Sequence, residues 1–245
     1  MQKKPFLVWL IVVVISGISY SGYMVHKYLL PSKSFFITGI IGGLYSSTAT
    51  TVVLAKKARE LEPNGMITAS IIAATSVMYL RLIVIALVFN IGIAKNIYLP
   101  LLFFALFGFM VAFDYYRLGT KTQNSLKIED KNPLELGTAF VFSALFVIMI
   151  VATHFVTEFY GSSGLKMLSF IVGFTDIDPF ILSLLTGKYA VTQHEIYAAI
   201  LISIGSNNIL KGVYSLWFGS WSKTSHAFMW LVVLGIAAIS AGLLN

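Results

Sequence analysis

Apolar residues run along this chain in long blocks separated by short polar connections. Eight such blocks are legible, at about residues 6–28, 35–55, 66–89, 97–115, 134–156, 165–185, 196–218 and 227–244. Several exceed the ~18 apolar residues that mark a helix able to cross a bilayer, where a barrel strand needs only ~10 tilted residues. This pattern predicts an all-α integral membrane protein. One long polar connection, YRLGTKTQNSLKIEDKN at 116–132, divides the blocks four and four.

Two of the blocks are interrupted. Residues 172–184, VGFTDIDPFILSL, place Asp176, Asp178 and Pro179 inside a 21-residue apolar run, and 130 residues earlier 42–54, GGLYSSTATTVVL, place Ser46, Thr48 and Ala49 at the matching positions. A capping residue followed by a residue suited to the first helical position predicts helix starts at Asp178–Pro179 and Thr48–Ala49. Both blocks therefore read as helices broken near the midplane, where irregular backbone is tolerated only inside protein or beside a wet cavity. The 130-residue offset also pairs Gly43 with Gly173, Ser76 with Ser206 and Arg81 with Lys211. It predicts two four-segment repeats, 1–115 and 131–245, joined by a polar linker at 116–130, as one membrane domain.

Composition agrees and removes other classes. With 58% hydrophobic and 11% charged residues, the chain has too little polar surface for a water-soluble globule of 245 residues. The net charge of +7 comes from 17 basic residues scattered over short loops, which argues for topogenic charge and against a nucleic-acid partner. There is no cysteine, hence no disulfide, thiolate nucleophile or thiolate metal site. The first 24 residues resemble a signal peptide in charge and apolarity, but the run continues to spanning length without a cleavage site. A retained first helix is expected.

Loop charge sets orientation but not topology. If all eight blocks span, Lys3, Lys4, Lys56, Lys57, Arg59, Arg117, Lys121, Lys127, Lys131 and Lys188 share one side, against Lys27, Lys33, Lys95, Lys166 and Lys223 on the other. That ten-to-five excess puts both termini in the cytoplasm. If the broken blocks are re-entrant, the repeats are inverted, and an equal ten-to-five excess puts the N-terminus outside. Lys3 and Lys4 beside the first helix favour the first arrangement.

The candidate chemistry is concentrated at the breaks. Asp176 and Asp178 are expected to bind an ion or carry a proton and are the best metal candidates, although capping alone explains Asp178. Arg81 and Lys211 are cations well inside apolar runs, and pairing with Asp176, Asp178 or Asp114, or snorkelling of the lysine, accounts for them structurally. Ser46, Ser47 and Thr48 beside Gly43 offer hydroxyls and half-helix ends to a polar group, or simply close packing. Asn207 and Asn208 lie about one turn before Lys211 and either line the same cavity or glue helices. The histidines are dispersed, and no nucleophile, HExxH, phosphate-loop or dinucleotide pattern occurs. The expectation is a transporter or channel for an ion or small polar solute, not an enzyme, with no cofactor, the lipid bilayer as partner and homo-oligomerisation open. The rival is a non-transporting scaffold or regulator.

At GGLYSSTATTVVLAKKARE, NPLELGTA, GFTDIDPFILSL and SNNILKG the chain resembles the C-terminal membrane domain, of unassigned function, of MgtC/SapB-like bacterial proteins. In longer relatives this domain follows an MgtC-type membrane domain linked to magnesium limitation; here it is expected as a stand-alone chain. The resemblance implies a multi-pass protein of the bacterial inner membrane, and marks Gly43, Ser46, Ser47, Thr48, Glu135, Asp176 and Asp178 as motif positions without assigned roles.

Overall fold

The computed structural model describes residues 35–61, 65–119 and 136–244, with Val13 and Gly17, and residues 136–140 as backbone. The first apolar block, most of the polar linker and Glu135 lie outside the described residues. The described chain is all-helical: α1 (Phe35–Ala58), α2 (Gly65–Phe89), α3 (Ile91–Leu118), α4 (Leu136–Val172), α5 (Ile177–Thr186), α6 (Gln193–Phe218) and α7 (Trp221–Leu243). Six of these, all but the ten-residue α5, are long and apolar enough to cross a membrane by length and composition. Large apolar side chains lie exposed along α3 and α4, among them Phe103, Leu106, Met110, Val151, Phe155 and Phe159, which suits contact with lipid. The protein is multi-pass.

Local signals account for the helix boundaries. Asn90 caps α3, its side chain accepting from the Ile93 amide at 3.1 Å. Thr192 and Glu195 cap α6 reciprocally. Within α4, Gly161 adopts φ 56°, ψ −143°, a left-handed conformation that L side chains resist, and separates a long limb from a shorter one at 162–172. The fifth and sixth apolar blocks are thus joined through one glycine.

Inside α1 the backbone leaves the helical region at Ser46 (φ −157°, ψ 109°). The two limbs, 35–45 and 47–58, are about 16 and 18 Å long at ~1.5 Å per residue, each too short for a ~30 Å hydrocarbon core. They do not run on in line. A Cβ on Gly42 would stand 2.9 Å from Thr50 Cγ2, although eight residues of straight helix span ~12 Å. Phe35, from the first limb, and Leu54 and Ala58, from the second, share one apolar cluster with Met66, Ile67 and Ile71 at the start of α2. α1 is a helical hairpin, with both ends on the face of the bundle where α2 begins. We call this the near face. Arg59 anchors it there, donating from Nε to Gly219 O and from Nη2 to Trp217 O, both at 2.8 Å, at the junction of α6 and α7.

A second hairpin is built from 162–172 and α5, and its ends lie on the opposite, far face. Asn90, at the end of α2, donates to Leu185 O at 3.1 Å, and Glu195, in the first turn of α6, faces Ser162 and Lys166. The helices α2 and α7 run from near to far face, α3 and α6 from far to near, and the long limb of α4 from near to far. Thr153 on that limb meets Ser183 of α5 at 3.4 Å.

Small residues seat the hairpins. A Cβ on Gly43 would lie 2.5 Å from Ala74 O and 2.7 Å from Ala74 Cα, and one on Gly173 would lie 2.5 Å from Ser206 Oγ. Close approach of this kind lets apolar helices associate without a hydrophobic driving force between them. Because backbone opposes Gly43, Gly43→Val should cost roughly 1–3 kcal/mol by overpacking. Thermal unfolding in detergent would show it, and an unchanged midpoint would mean the hairpin is not seated on α2.

Candidate functional site

The hairpin tips meet in the middle of the bundle. Each opens its outgoing limb with a side-chain cap: Ala49 N donates to Ser46 Oγ at 3.2 Å, and Asp178 N to Asp176 Oδ1 at 3.1 Å. Ser46 and Asp176 are 130 residues apart, so both caps sit two positions earlier than the Thr48 and Asp178 expected from sequence. Proline is tolerated throughout the first helical turn, where its missing N–H has no partner to lose. Pro179 at the third position of α5 therefore permits the earlier start.

That shift exchanges the roles of the two aspartates. Asp176 is exposed and caps, whereas Asp178, 8% exposed, accepts from Arg81 Nη2 through Oδ2 at 2.5 Å. Arg81, 9% exposed, also donates from Nη1 to Leu44 O at 3.3 Å and Tyr45 O at 3.0 Å. Those are the last carbonyls of the first limb, where the break at Ser46 interrupts the helix. One guanidinium thus holds the first hairpin's tip to the second's. The second tip is held in kind by Asn207, whose Nδ2 donates to Gly173 O at 3.1 Å and Thr175 O at 3.3 Å. Asn207 lies 14 residues into α6, about 21 Å from its start.

Lys211 is fully buried, and its neighbours are neutral. Nζ lies 3.5 Å from Ser47 Oγ, 3.4 Å from Thr75 Oγ1 and 3.4 Å from Met78 Sδ. Among the described residues it makes no ion pair, and the snorkelling and pairing expected of it are both replaced by burial among hydroxyls and a thioether. Asp114 is exposed and likewise has no part in an ion pair among them. Asn208 donates from Nδ2 to Tyr79 OH at 2.7 Å. Among the described residues, three buried side-chain polar atoms have no protein partner: Arg81 Nε, Asp178 Oδ1 and Asn208 Oδ1.

The structure therefore gathers Ser46, Ser47, Arg81, Asp176, Asp178, Asn207, Asn208 and Lys211 around the two tips. Thr48 lies half-buried beside Ser47, and Gly43 serves packing against α2. Thr75, Met78 and Tyr79 were not singled out from sequence, although Thr75, Met78 and Arg81 recur every three residues along one helical stripe that could have marked them. For a metal, Asp178 is engaged by Arg81 and Asp176 by a backbone amide. Among the described residues no three His, Asp or Glu converge as a ligand set.

No solved structure matches the chain. A protein of Aquifex aeolicus (strain VF5), described only as uncharacterized, is 31% identical over 191 residues, covering 76% of this chain and 83% of that protein. A family model matches residues 13–219, which include both hairpins and every residue placed around their tips. The chain belongs to the family defined by the domain of unknown function DUF4010.

Proposed function

We propose that this protein is a membrane carrier or channel for an ion or small polar solute, with its site where two re-entrant helical hairpins from opposite faces meet. The observation that carries this reading is the Arg81 guanidinium bridging the two tips at mid-bundle. Half-helices ending at the midplane present dipole ends and irregular backbone to a site that a moving bundle can open to either face. Inverted repeats are the natural plan for such a machine. Residues 1–115 and 131–245 fit it, with Ser46 matching Asp176, Gly43 matching Gly173 and Arg81 matching Lys211.

Loop charge supports an orientation. Among the described residues the near face holds Lys56, Lys57, Arg59, Arg117 and Lys223, and the far face holds Lys95, Lys166 and Lys188. Five against three supports a near face in the cytoplasm of an inner-membrane protein. The C-terminus, at the far end of α7, then lies outside, the reverse of what eight simple spans would give.

A scaffold or regulator of the MgtC/SapB kind is the second reading, favoured by the closed Arg81–Asp178 pair. A flux screen in proteoliposomes across cations, anions and amino acids separates the two. Asp176→Asn makes the test sharper. Asparagine caps a helix as well as aspartate does, so the variant should fold with its melting temperature nearly unchanged. It should lose most of the flux if the exposed Asp176 charge serves the solute or a coupling ion. Flux equal to wild type removes Asp176 from the site, and a screen with no flux of any solute favours the scaffold.

A further inference from the structure

We propose that Lys211, Arg81 and the start of the outgoing limb at 47–58 form a binding site for an oxyanion group, a carboxylate, sulfate or phosphate, on the transported solute. The proposal rests on the transport reading and names the solute's chemistry. A lysine amine 0% exposed holds its proton at a cost unless a counter-charge is beside it, and hydroxyls and a thioether at 3.4–3.5 Å do not supply one. The charges nearest Lys211, Arg81 and Asp178, are already paired with each other.

The same place has further donors. The limb opening at Ser46 is a helix N-terminus, with a positive dipole end and first-turn N–H groups, of which the Ala49 amide is bound by the Ser46 cap. Arg81, fixed at this break through Leu44 O and Tyr45 O, keeps its buried Nε without a partner. The second hairpin's outgoing limb differs: Asp176 and Asp178 already place two carboxylates at its start. The chain thus fills one half-helix N-terminus with its own anions and faces the other with a buried lysine. The orphaned Asp178 Oδ1 and Asn208 Oδ1 are acceptors for a donor elsewhere on the same solute.

The test uses the purified full chain in detergent, with sodium sulfate, sodium phosphate and disodium succinate compared with sodium chloride at equal ionic strength. At least one oxyanion should raise the melting temperature of the wild type by a few degrees with saturation, and Lys211→Met should abolish that shift. An equal shift in both proteins is a general salt effect and overturns the proposal, as does no shift in the wild type. If Lys211→Met does not fold, equilibrium dialysis of radiolabelled sulfate, phosphate and succinate on the wild type decides. Saturable retention of one anion per chain supports the site, and retention of none overturns it. Oxyanion binding without flux in vesicles sinks the transport reading and leaves the site. Cation flux without oxyanion binding does the reverse.

Discussion

Asp178→Asn is expected to destabilise the protein by about 3–5 kcal/mol, and Arg81→Met by a similar amount, because each strands the other's charge in the bundle interior. The pair itself is not the source of that number. Two ions taken out of water recover only part of their hydration through mutual attraction, so a well-packed apolar pair in the same space is often as stable. Arg81→Met combined with Asp178→Leu should therefore recover most of what either single change loses. Unfolding midpoints of the wild type, Arg81→Met, Asp178→Leu and the double variant give the coupling directly. Additive losses in the double variant would show that Arg81 matters mainly through Leu44 O and Tyr45 O, which neither replacement can satisfy. Arg81→Lys separates these contributions further. An ammonium keeps the charge but cannot fork between two carbonyls and a carboxylate, so the variant should fall between wild type and Arg81→Met.

This expectation reverses the sequence-based ranking of the two aspartates. From sequence, Asp178 could be dismissed as a cap while Asp176 needed a reason to be there. In the fold Asp176 is the cap, and Asp178 carries the buried ion pair. The ambiguity was physical. Two capping residues spaced by two can each start a helix before a proline, and the choice is settled by which carboxylate a distant arginine claims. Arg81 is 97 residues away in the chain, and no local pattern reports on it.

Other features were legible because their signals are local. Block length and hydropathy account for the helical membrane class, although the described helices divide the fifth and sixth apolar blocks differently, α4 running through the fifth into the sixth. Glycines, hydroxyls and aspartates inside apolar runs located both breaks to within two residues. The geometry of the breaks was not legible. A broken span and a re-entrant hairpin have the same hydropathy, and the ten-to-five loop charge is equal for both. What distinguishes them is contact between Gly42 and Thr50, and the meeting of Phe35 with Leu54 and Ala58 around the start of α2, which a one-dimensional pattern cannot carry. The surroundings of Lys211 were hidden for a related reason. The offset that finds Arg81 opposite Lys211 places Gly205 opposite Thr75 and Asn208 opposite Met78, so the lysine's neighbours have no counterparts in the other half.

The hairpin topology makes an all-or-none prediction, and the absence of cysteine makes it directly testable. Ile37 and Glu60 lie at the two ends of the first hairpin, and Ser163 and Lys188 at those of the second. If α1 crossed the membrane, cysteines at 37 and 60 would react with an impermeant maleimide from opposite sides. Because α1 folds back at Ser46, Ile37→Cys and Glu60→Cys should both react from the near side, together with Ser222→Cys at the start of α7. Ser163→Cys and Lys188→Cys should both react from the far side. With the near face cytoplasmic, the first three label only in inside-out vesicles and the last two only in intact cells, a difference limited by vesicle sealing and not by small energies. Labelling of positions 37 and 60 from opposite sides would remove the first hairpin, and with it the meeting of two opposed tips on which the transport site depends. Labelling of all five in the mirrored sense would keep the hairpins and overturn only the orientation. The two results fail for different reasons: the first tests contacts around Ser46, the second a charge asymmetry acting during insertion.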